Sequence, residues 1–206
     1  MKIIDISKTI SEDMIVYKNR DSKRIKRTIA MDYEKGHYYE SRVDFDMHCG
    51  THIDAPLHMI KGGNTIENID LSKVIGHCKV FDLTNIEKYI VKDNIKDLDI
   101  KENDIIIFKT KNSYDIEYNP KFVYVEEDAA KYLVDMGIKC IGIDAMSLER
   151  DKPHHPSHKV ILEKGIVIIE DLQLKDVEEG NYFLSCLPLK IKGSEASPVR
   201  AVLIKK

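Results

Sequence analysis

The sequence predicts an α/β fold with a mixed β-sheet, because short strand-like runs dominate and helix-like segments are few. The strand-like runs are either continuously apolar or alternate between apolar and polar residues. They are Lys2–Ser7, Ser41–His48, His77–Leu83, Asp104–Lys109, Lys139–Asp144, Ile166–Glu170 and Arg200–Ile204. Because strands and helices do not alternate regularly, a mixed sheet is favoured over a purely parallel one.

A β-hairpin is predicted in the first quarter of the chain. Within the predicted strand Ser41–His48, residues 42–48 place polar side chains at even positions and apolar side chains at odd positions, which is the pattern of a half-buried strand. The segment Glu34–His37, which contains a glycine, has the composition of a turn. We therefore expect Ile25–Tyr33 and Tyr38–His48 to pair as antiparallel strands.

Two segments are predicted to be helical. Val125–Gly137 carries apolar residues at helical spacing and ends at a glycine, which is typical of a helix C-terminus. Lys159–Lys164 is predicted to form a shorter helix that ends before Gly165.

Length and composition limit the classes of protein to consider. With 206 residues, the chain fits one domain spanning residues 1–206. Its 32 basic and 35 acidic residues give a net charge of -3, which argues against an electrostatic nucleic-acid binder. The four cysteines form no CxxC pair, and neither a signal-peptide core nor a membrane-spanning apolar run is found. We therefore expect a cytoplasmic protein with reduced thiols and no membrane or nucleic-acid partner.

Three of the eight histidines fall within eleven residues, and their spacing predicts a bent strand. A helix is disfavoured because Gly50 and Pro56 would lie in its interior. In an extended chain, His48, His52 and Asp54 share one side. A straight strand would separate the two histidines by about 13 Å, whereas a zinc ion holds each ligand nitrogen at roughly 2.1 Å. The chain must therefore bend, and Gly50 lies at the midpoint.

These side chains predict a metal site with catalytic character. Two imidazoles and a carboxylate suit Zn²⁺ or Mn²⁺, and three protein ligands leave a position open for water. The metal would lower the pKa of that water toward ~7. His58 is then available as a general acid/base, although it could instead be a ligand or structural. A polar turn without metal is the alternative for His48, His52 and Asp54.

A second group of candidate ligands lies in the C-terminal third. His154, His155 and His158 are close in sequence, and Glu170 closes an apolar run twelve residues after the last of them. A carboxylate at the end of a buried strand is costly unless it is paired or binds a metal. Any of His154, His155 and His158 could be a ligand, and Glu170 could otherwise be a buried ion-pair partner. Asp144 is expected to cap a strand or to hold a ligand histidine.

The run His48–His58, HCGTHIDAPLH, resembles the HxGTHxDxPxH motif of the cyclase-like metal hydrolases, a family that includes bacterial kynurenine formamidase and isatin hydrolase. Segments 141–148, 158–172 and 197–201 resemble later parts of that family. The resemblance implies a swivelling β/β/α domain with a mixed sheet. It also implies a homodimer or homotetramer.

The resemblance implies specific roles for the histidines and carboxylates. His48, His52 and Asp54 would bind one metal, and His158 a second. Asp54 and Glu170 would bridge the two, which gives two Zn²⁺ or Mn²⁺ ions per subunit. The residue that matches the family's acid/base is His58.

The substrate-binding segment departs from the family pattern. In kynurenine formamidase an N-terminal tryptophan contacts the substrate, and the matching position here holds Tyr17. This chain contains no tryptophan, and the family's Trp-Pro-Gly-Asp-like stretch is replaced by Tyr17–Arg20. Tyr17 could still stack on an aromatic substrate. Its basic neighbours favour a more acidic one.

The resemblance and the ligand spacing together predict a metal-dependent amide hydrolase of the arylformamidase type. Its substrate would be a small-molecule amide, either an aryl formamide like N-formylkynurenine or a cyclic amide like isatin. Two alternatives stay open. One is a metal-dependent cyclase or dehydratase that uses the same site, and the other is a non-enzymatic metal-binding protein.

Overall fold

The computed structural model describes residues 1–150 and 152–205. The strands are β1 (Lys2–Asp5), β2 (Lys26–Met31), β3 (Glu40–Asp44), β4 (His52–Asp54), β5 (Ile75–Asp82), β6 (Tyr89–Ile90), β7 (Ile105–Lys109), β8 (Tyr124–Val125), β9 (Cys140–Ile143), β10 (Val167–Glu170), β11 (Gly180–Pro188) and β12 (Ala196–Lys205). The α-helices are α1 (Lys92–Ile95), α2 (Glu127–Asp135) and α3 (Pro156–Glu163). None of these helices has both the length and the apolar character needed to cross a bilayer.

Eight strands form one mixed sheet that closes on itself. Their order is β1-β12-β11-β5-β7-β9-β10-β4, and β4 also pairs with β12. Strands β5, β7, β9 and β10 are parallel to their neighbours within that group, whereas β1, β4, β11 and β12 make antiparallel pairs. The short strand β4 completes the barrel-like arrangement, and the predicted mixed α/β fold is confirmed.

The continuous apolar run in β7 is explained by burial on both faces of the sheet. Ile105 and Ile107 belong to the core enclosed by the sheet, together with Ile53 of β4. Ile106 and Phe108 face the second core, which the helices cover. Because successive side chains of a strand point to opposite faces, both sets must be apolar. The strands that carry the candidate functional residues pack against these two cores.

Most predicted elements are found, with boundaries shifted by a few residues. Helix α3 begins at Pro156 rather than Lys159, because proline is well suited to the first turn of a helix. Strand β11 was missed by the sequence analysis. Its buried side chains alternate with the partly exposed Phe183 and Leu187, which are also apolar and therefore hide the alternation.

The predicted hairpin forms, but the strand Ser41–His48 was wrong in its extent and burial. Strand β3 ends at Asp44, and all of its residues are exposed. The Asp46 carboxylate accepts a hydrogen bond from the His48 backbone N–H at 2.9 Å, which turns the chain there. Within the described part of the chain, β2 and β3 pair only with each other. The homodimer or homotetramer stays a prediction.

Candidate metal centre

The bend predicted near residue 50 is present and carries His48 back toward strand β4. Gly50 adopts φ +57°, a left-handed conformation that glycine tolerates best. A Cβ atom there would also lie 3.1 Å from the Met14 methyl group. As a result, His48 Nδ1 lies 3.0 Å from Asp54 Oδ1, and the His48 and His52 rings are 5.0 Å apart.

The pairing of β4 with β10 places Glu170 beside this motif. In the antiparallel register, Glu170 is opposite His52, and His52 Nε2 lies 3.4 Å from Glu170 Oε2. His52 and Asp54 share one face of β4, while Ile53 faces the sheet core. All three side chains of β4 are buried.

Helix α3 brings His158 to the same point. His158 lies in its first turn and is 1% exposed. Its Nε2 atom is 3.0 Å from Glu170 Oε1 and 4.0 Å from Asp54 Oδ2. The two predicted groups of ligands, separated by about a hundred residues of sequence, therefore meet at the carboxylates of Asp54 and Glu170.

His58 completes the group from a single 3₁₀ turn, Pro56–His58, that follows β4. Its ring lies 4.2 Å from the His48 ring and 5.9 Å from the His158 ring. One ligand atom each from His48, Asp54 and His58 lie within 4.8 Å of one another. His58 can therefore serve as a metal ligand or as an acid/base, and both roles stay open. We call the six residues the histidine–carboxylate cluster: His48, His52, Asp54, His58, His158 and Glu170.

A cavity of about 220 Å³ opens onto the cluster. His58, His158 and Glu170 line it from the cluster side, and Tyr17 and Arg20 line it from the N-terminal segment. Tyr17 packs edge-on against Tyr118, with ring centroids 6.1 Å apart. The predicted substrate-binding residue therefore faces the same space as the predicted ligands.

The cluster contains buried polar atoms that a cation would satisfy. Among residues 1–150 and 152–205, His52 Nε2 and both carboxylate oxygens of Asp54 make no well-aligned hydrogen bond, although His48 Nδ1 and Glu170 Oε2 lie within ion-pair distance of two of these atoms. Burying an ionised carboxylate costs free energy unless a nearby cation compensates its negative charge. His52, Asp54 and Glu170 also offer ligand atoms within 4.8 Å of one another, and Asp54 belongs to both such sets. Imidazole and carboxylate donors at this spacing fit a divalent metal.

The charges within the cluster shift the pKa values of its members. Burial opposes protonation of His52, but the carboxylates of Glu170 and Asp54 outweigh it and raise the pKa to about 9. Burial likewise opposes protonation of His158, yet Glu149 and Glu170 raise its pKa to about 10. The nearby histidines lower the pKa of Glu170 to about 2, against burial and the charge of Asp54. In the metal-free chain these shifts favour an ionised Glu170 and protonated His52 and His158 at pH 7.

Metal binding should accordingly release protons. A histidine binds a metal through a neutral nitrogen, so His52 and His158 must each lose a proton on ligation at pH 7. We expect a release that approaches two protons per chain, and an affinity that falls as the pH is lowered. Calorimetric titration of Zn²⁺ at pH 7 in buffers of different ionisation enthalpy measures this number. His158→Ala should release about one proton fewer, and a heat independent of buffer would contradict the expectation.

Two further buried acidic residues, Asp144 and Glu149, do not belong to the cluster. Asp144 accepts hydrogen bonds from the backbone N–H and hydroxyl groups of Thr110 and Ser113, at 2.7–3.2 Å. It therefore caps a strand end, one of its two expected roles. Glu149 was missed by the sequence analysis, because it stands in a short segment without a distinctive pattern. Its carboxylate contacts the His158 ring and the start of α3.

The family model for the putative cyclases matches residues 4–150, which include the whole His48–His58 motif. The chain belongs to this cyclase family. A kynurenine formamidase from Salinibacter ruber is 32% identical over 206 residues, which cover 98% of this chain and 97% of that protein.

Solved structures agree with this assignment. A potential metal-dependent hydrolase with cyclase activity superimposes with a TM-score of 0.91 at 48% identity, covering 98% of this chain and 96% of that one. Isatin hydrolase A from Labrenzia aggregata superimposes with a TM-score of 0.86 at 18% identity, covering 100% and 94%, and shows that the fold is shared. The predicted family and the predicted hydrolase class are confirmed, and the imidazole and carboxylate groups of the cluster suit a divalent metal.

Proposed function

We propose that this cyclase-family enzyme hydrolyses the carbon–nitrogen bond of a small amide, either an aryl formamide or a cyclic amide. The observation that carries the proposal is the cluster itself: two ligand sets share Asp54 beside a further imidazole, His58, and open onto a cavity. The resemblance to a kynurenine formamidase over nearly the full length of both chains supports an amide substrate.

The proposed cofactor is a pair of Zn²⁺ or Mn²⁺ ions. His48, His52 and Asp54 would hold one ion and His158 the other, and the carboxylates of Asp54 and Glu170, which both lie between the two groups of histidines, would be shared. When bound, a divalent ion acidifies a coordinated water and polarises a carbonyl oxygen.

The remaining residues would orient the substrate and move a proton. His58 faces the cavity and would pass a proton to the leaving nitrogen. Tyr17 would stack against the aromatic ring of a substrate. Arg20, which lines the same cavity, would favour a substrate that carries a carboxylate.

The proposal is tested with the full-length protein loaded with Zn²⁺ or Mn²⁺. N-formylkynurenine, isatin and further cyclic amides are supplied, and the appearance of the free amine or ring-opened acid is followed. We expect hydrolysis of at least one member of this panel, and none after the metal has been removed by a chelator. Lack of hydrolysis of every member by either metal form would refute the proposal.

That negative result would favour the second candidate, a cyclase or dehydratase reaction at the same site. The specific observation behind this candidate is the similarity to the solved structure described as having cyclase activity. In that reaction His58 would act as a base without an attacking water.

A further inference from the structure

Glu149 lies beside Nδ1 of His158, whereas the cluster carboxylate Glu170 lies beside Nε2. Glu149 is 1% exposed, and its Oε2 atom accepts hydrogen bonds from the backbone N–H groups of Ser157 at 3.1 Å and His158 at 3.4 Å. The same oxygen lies 3.4 Å from His158 Nδ1. One buried carboxylate therefore contacts both the backbone and the ring of a candidate metal ligand.

We propose that Glu149 is a positioning residue that presents His158 Nε2 to the metal. The inference rests on the metal centre of the proposed function, but not on the identity of its substrate. Two separate features of the contact support it: the N-terminus of helix α3 and the two nitrogens of the imidazole ring.

Helix α3 needs an acceptor at its N-terminus. The first backbone N–H groups of a helix lack partners within the helix, and a side chain of the preceding residue usually supplies one. Here that residue is His155, whose backbone is left-handed at φ +48°, and its side chain makes no capping hydrogen bond within the described chain. Glu149 supplies the acceptor instead, and its negative charge suits the positive end of the helix. Glu149 thus fixes the turn that carries His158.

The second feature is that the two nitrogens of the His158 ring face different carboxylates. His158 Nδ1 faces Glu149, while Nε2 faces Glu170 Oε1 at 3.0 Å. An acceptor beside Nδ1 favours the tautomer that carries its proton there, which leaves the lone pair on Nε2. That lone pair points into the cluster, where the metal would bind. A carboxylate behind a ligand histidine also makes the ring a stronger donor.

Glu149 could instead be a ligand, since it forms a group with His155 and His158 whose ligand atoms lie within 4.8 Å of one another. The ring geometry argues against this for the cluster metal. The two nitrogens of an imidazole point in diverging directions, so an ion bound at Nε2 lies across the ring from Glu149. An ion shared by Glu149 and His155 would be a separate site on the Nδ1 side.

The test measures Zn²⁺ affinity and stoichiometry of the chelator-treated full-length chain by calorimetry. We expect Glu149→Ala to weaken binding about 10- to 100-fold, the range typical of residues that support a ligand. Glu149→Gln should lose less, because its amide oxygen can still accept the same N–H groups. Glu163→Ala removes an exposed carboxylate from the same helix and should leave affinity unchanged.

A double-mutant cycle separates positioning from general support of the fold. If Glu149 acts through His158, Glu149→Ala should change Zn²⁺ affinity less than about twofold in the His158→Ala background. An equal loss in both backgrounds would overturn the proposal, as would wild-type affinity in Glu149→Ala. The loss of one bound ion in Glu149→Ala that His158→Ala does not cause would identify Glu149 as a ligand of a separate site and would also overturn it. Failure of the wild-type chain to bind Zn²⁺ would instead refute the proposed metal centre.

Discussion

Asp54→Asn should abolish metal binding at the centre and reduce turnover at least about a thousandfold, which corresponds to about 4 kcal/mol of transition-state stabilisation. Asp54 is fully buried, belongs to both ligand sets, and lies within 4.0 Å of His48, His52 and His158. Asparagine keeps the size of the side chain but removes the negative charge and one ligand oxygen. Neither ligand set is complete without that carboxylate.

The measurement compares metal content after dialysis with turnover of the best substrate in the amide panel. Asp171→Asn provides a matched control, because Asp171 is also buried and directly follows Glu170, but it pairs with Lys8 at 3.0 Å rather than with the cluster. We expect the control to retain its metal. Wild-type metal content in Asp54→Asn would show that Asp54 is not a shared ligand.

The part of the metal centre that is formed by residues close together in the sequence could be predicted from the sequence. From His48 to Asp54 the contacts depend on spacing within seven residues and on one glycine able to bend the chain, both of which are visible in the sequence. The proximity of Glu170 depends on the β4–β10 register instead. A carboxylate at the end of an apolar run indicates a functional position, but the pattern does not specify which strand will lie beside it.

The exposure of strand β3 and the role of Glu149 were not predicted, and both depend on how elements of the chain are arranged in space. Strand β3 alternates like a half-buried strand, yet Val43 is 47% exposed because the hairpin lies apart from the main sheet. Alternation predicts that one face is suited to burial, but it does not identify a covering element within the same chain. Glu149 escaped notice because its role depends on the position of helix α3 in space, and neither spacing nor periodicity reports such a contact.

His58→Ala should retain the metal and lose turnover, by about 10² to 10⁴-fold if His58 transfers a proton in the reaction. Burial lowers the pKa of His58 below its ordinary value, although the charge of Asp54 opposes the shift. This shift favours the neutral side chain at pH 7, which can accept a proton before donating it. It also lines the cavity, unlike the fully buried Asp54.

Metal content and turnover must be measured together, because they distinguish the two roles that the geometry leaves open for His58. His77→Ala is the matched control, since His77 is an exposed histidine of strand β5 that packs against Phe183. A metal content that falls in parallel with turnover in His58→Ala would make His58 a metal ligand together with His48 and Asp54. If His58→Ala keeps its metal but loses turnover, His58 is needed for catalysis and not for metal binding. Proton transfer would then be its role.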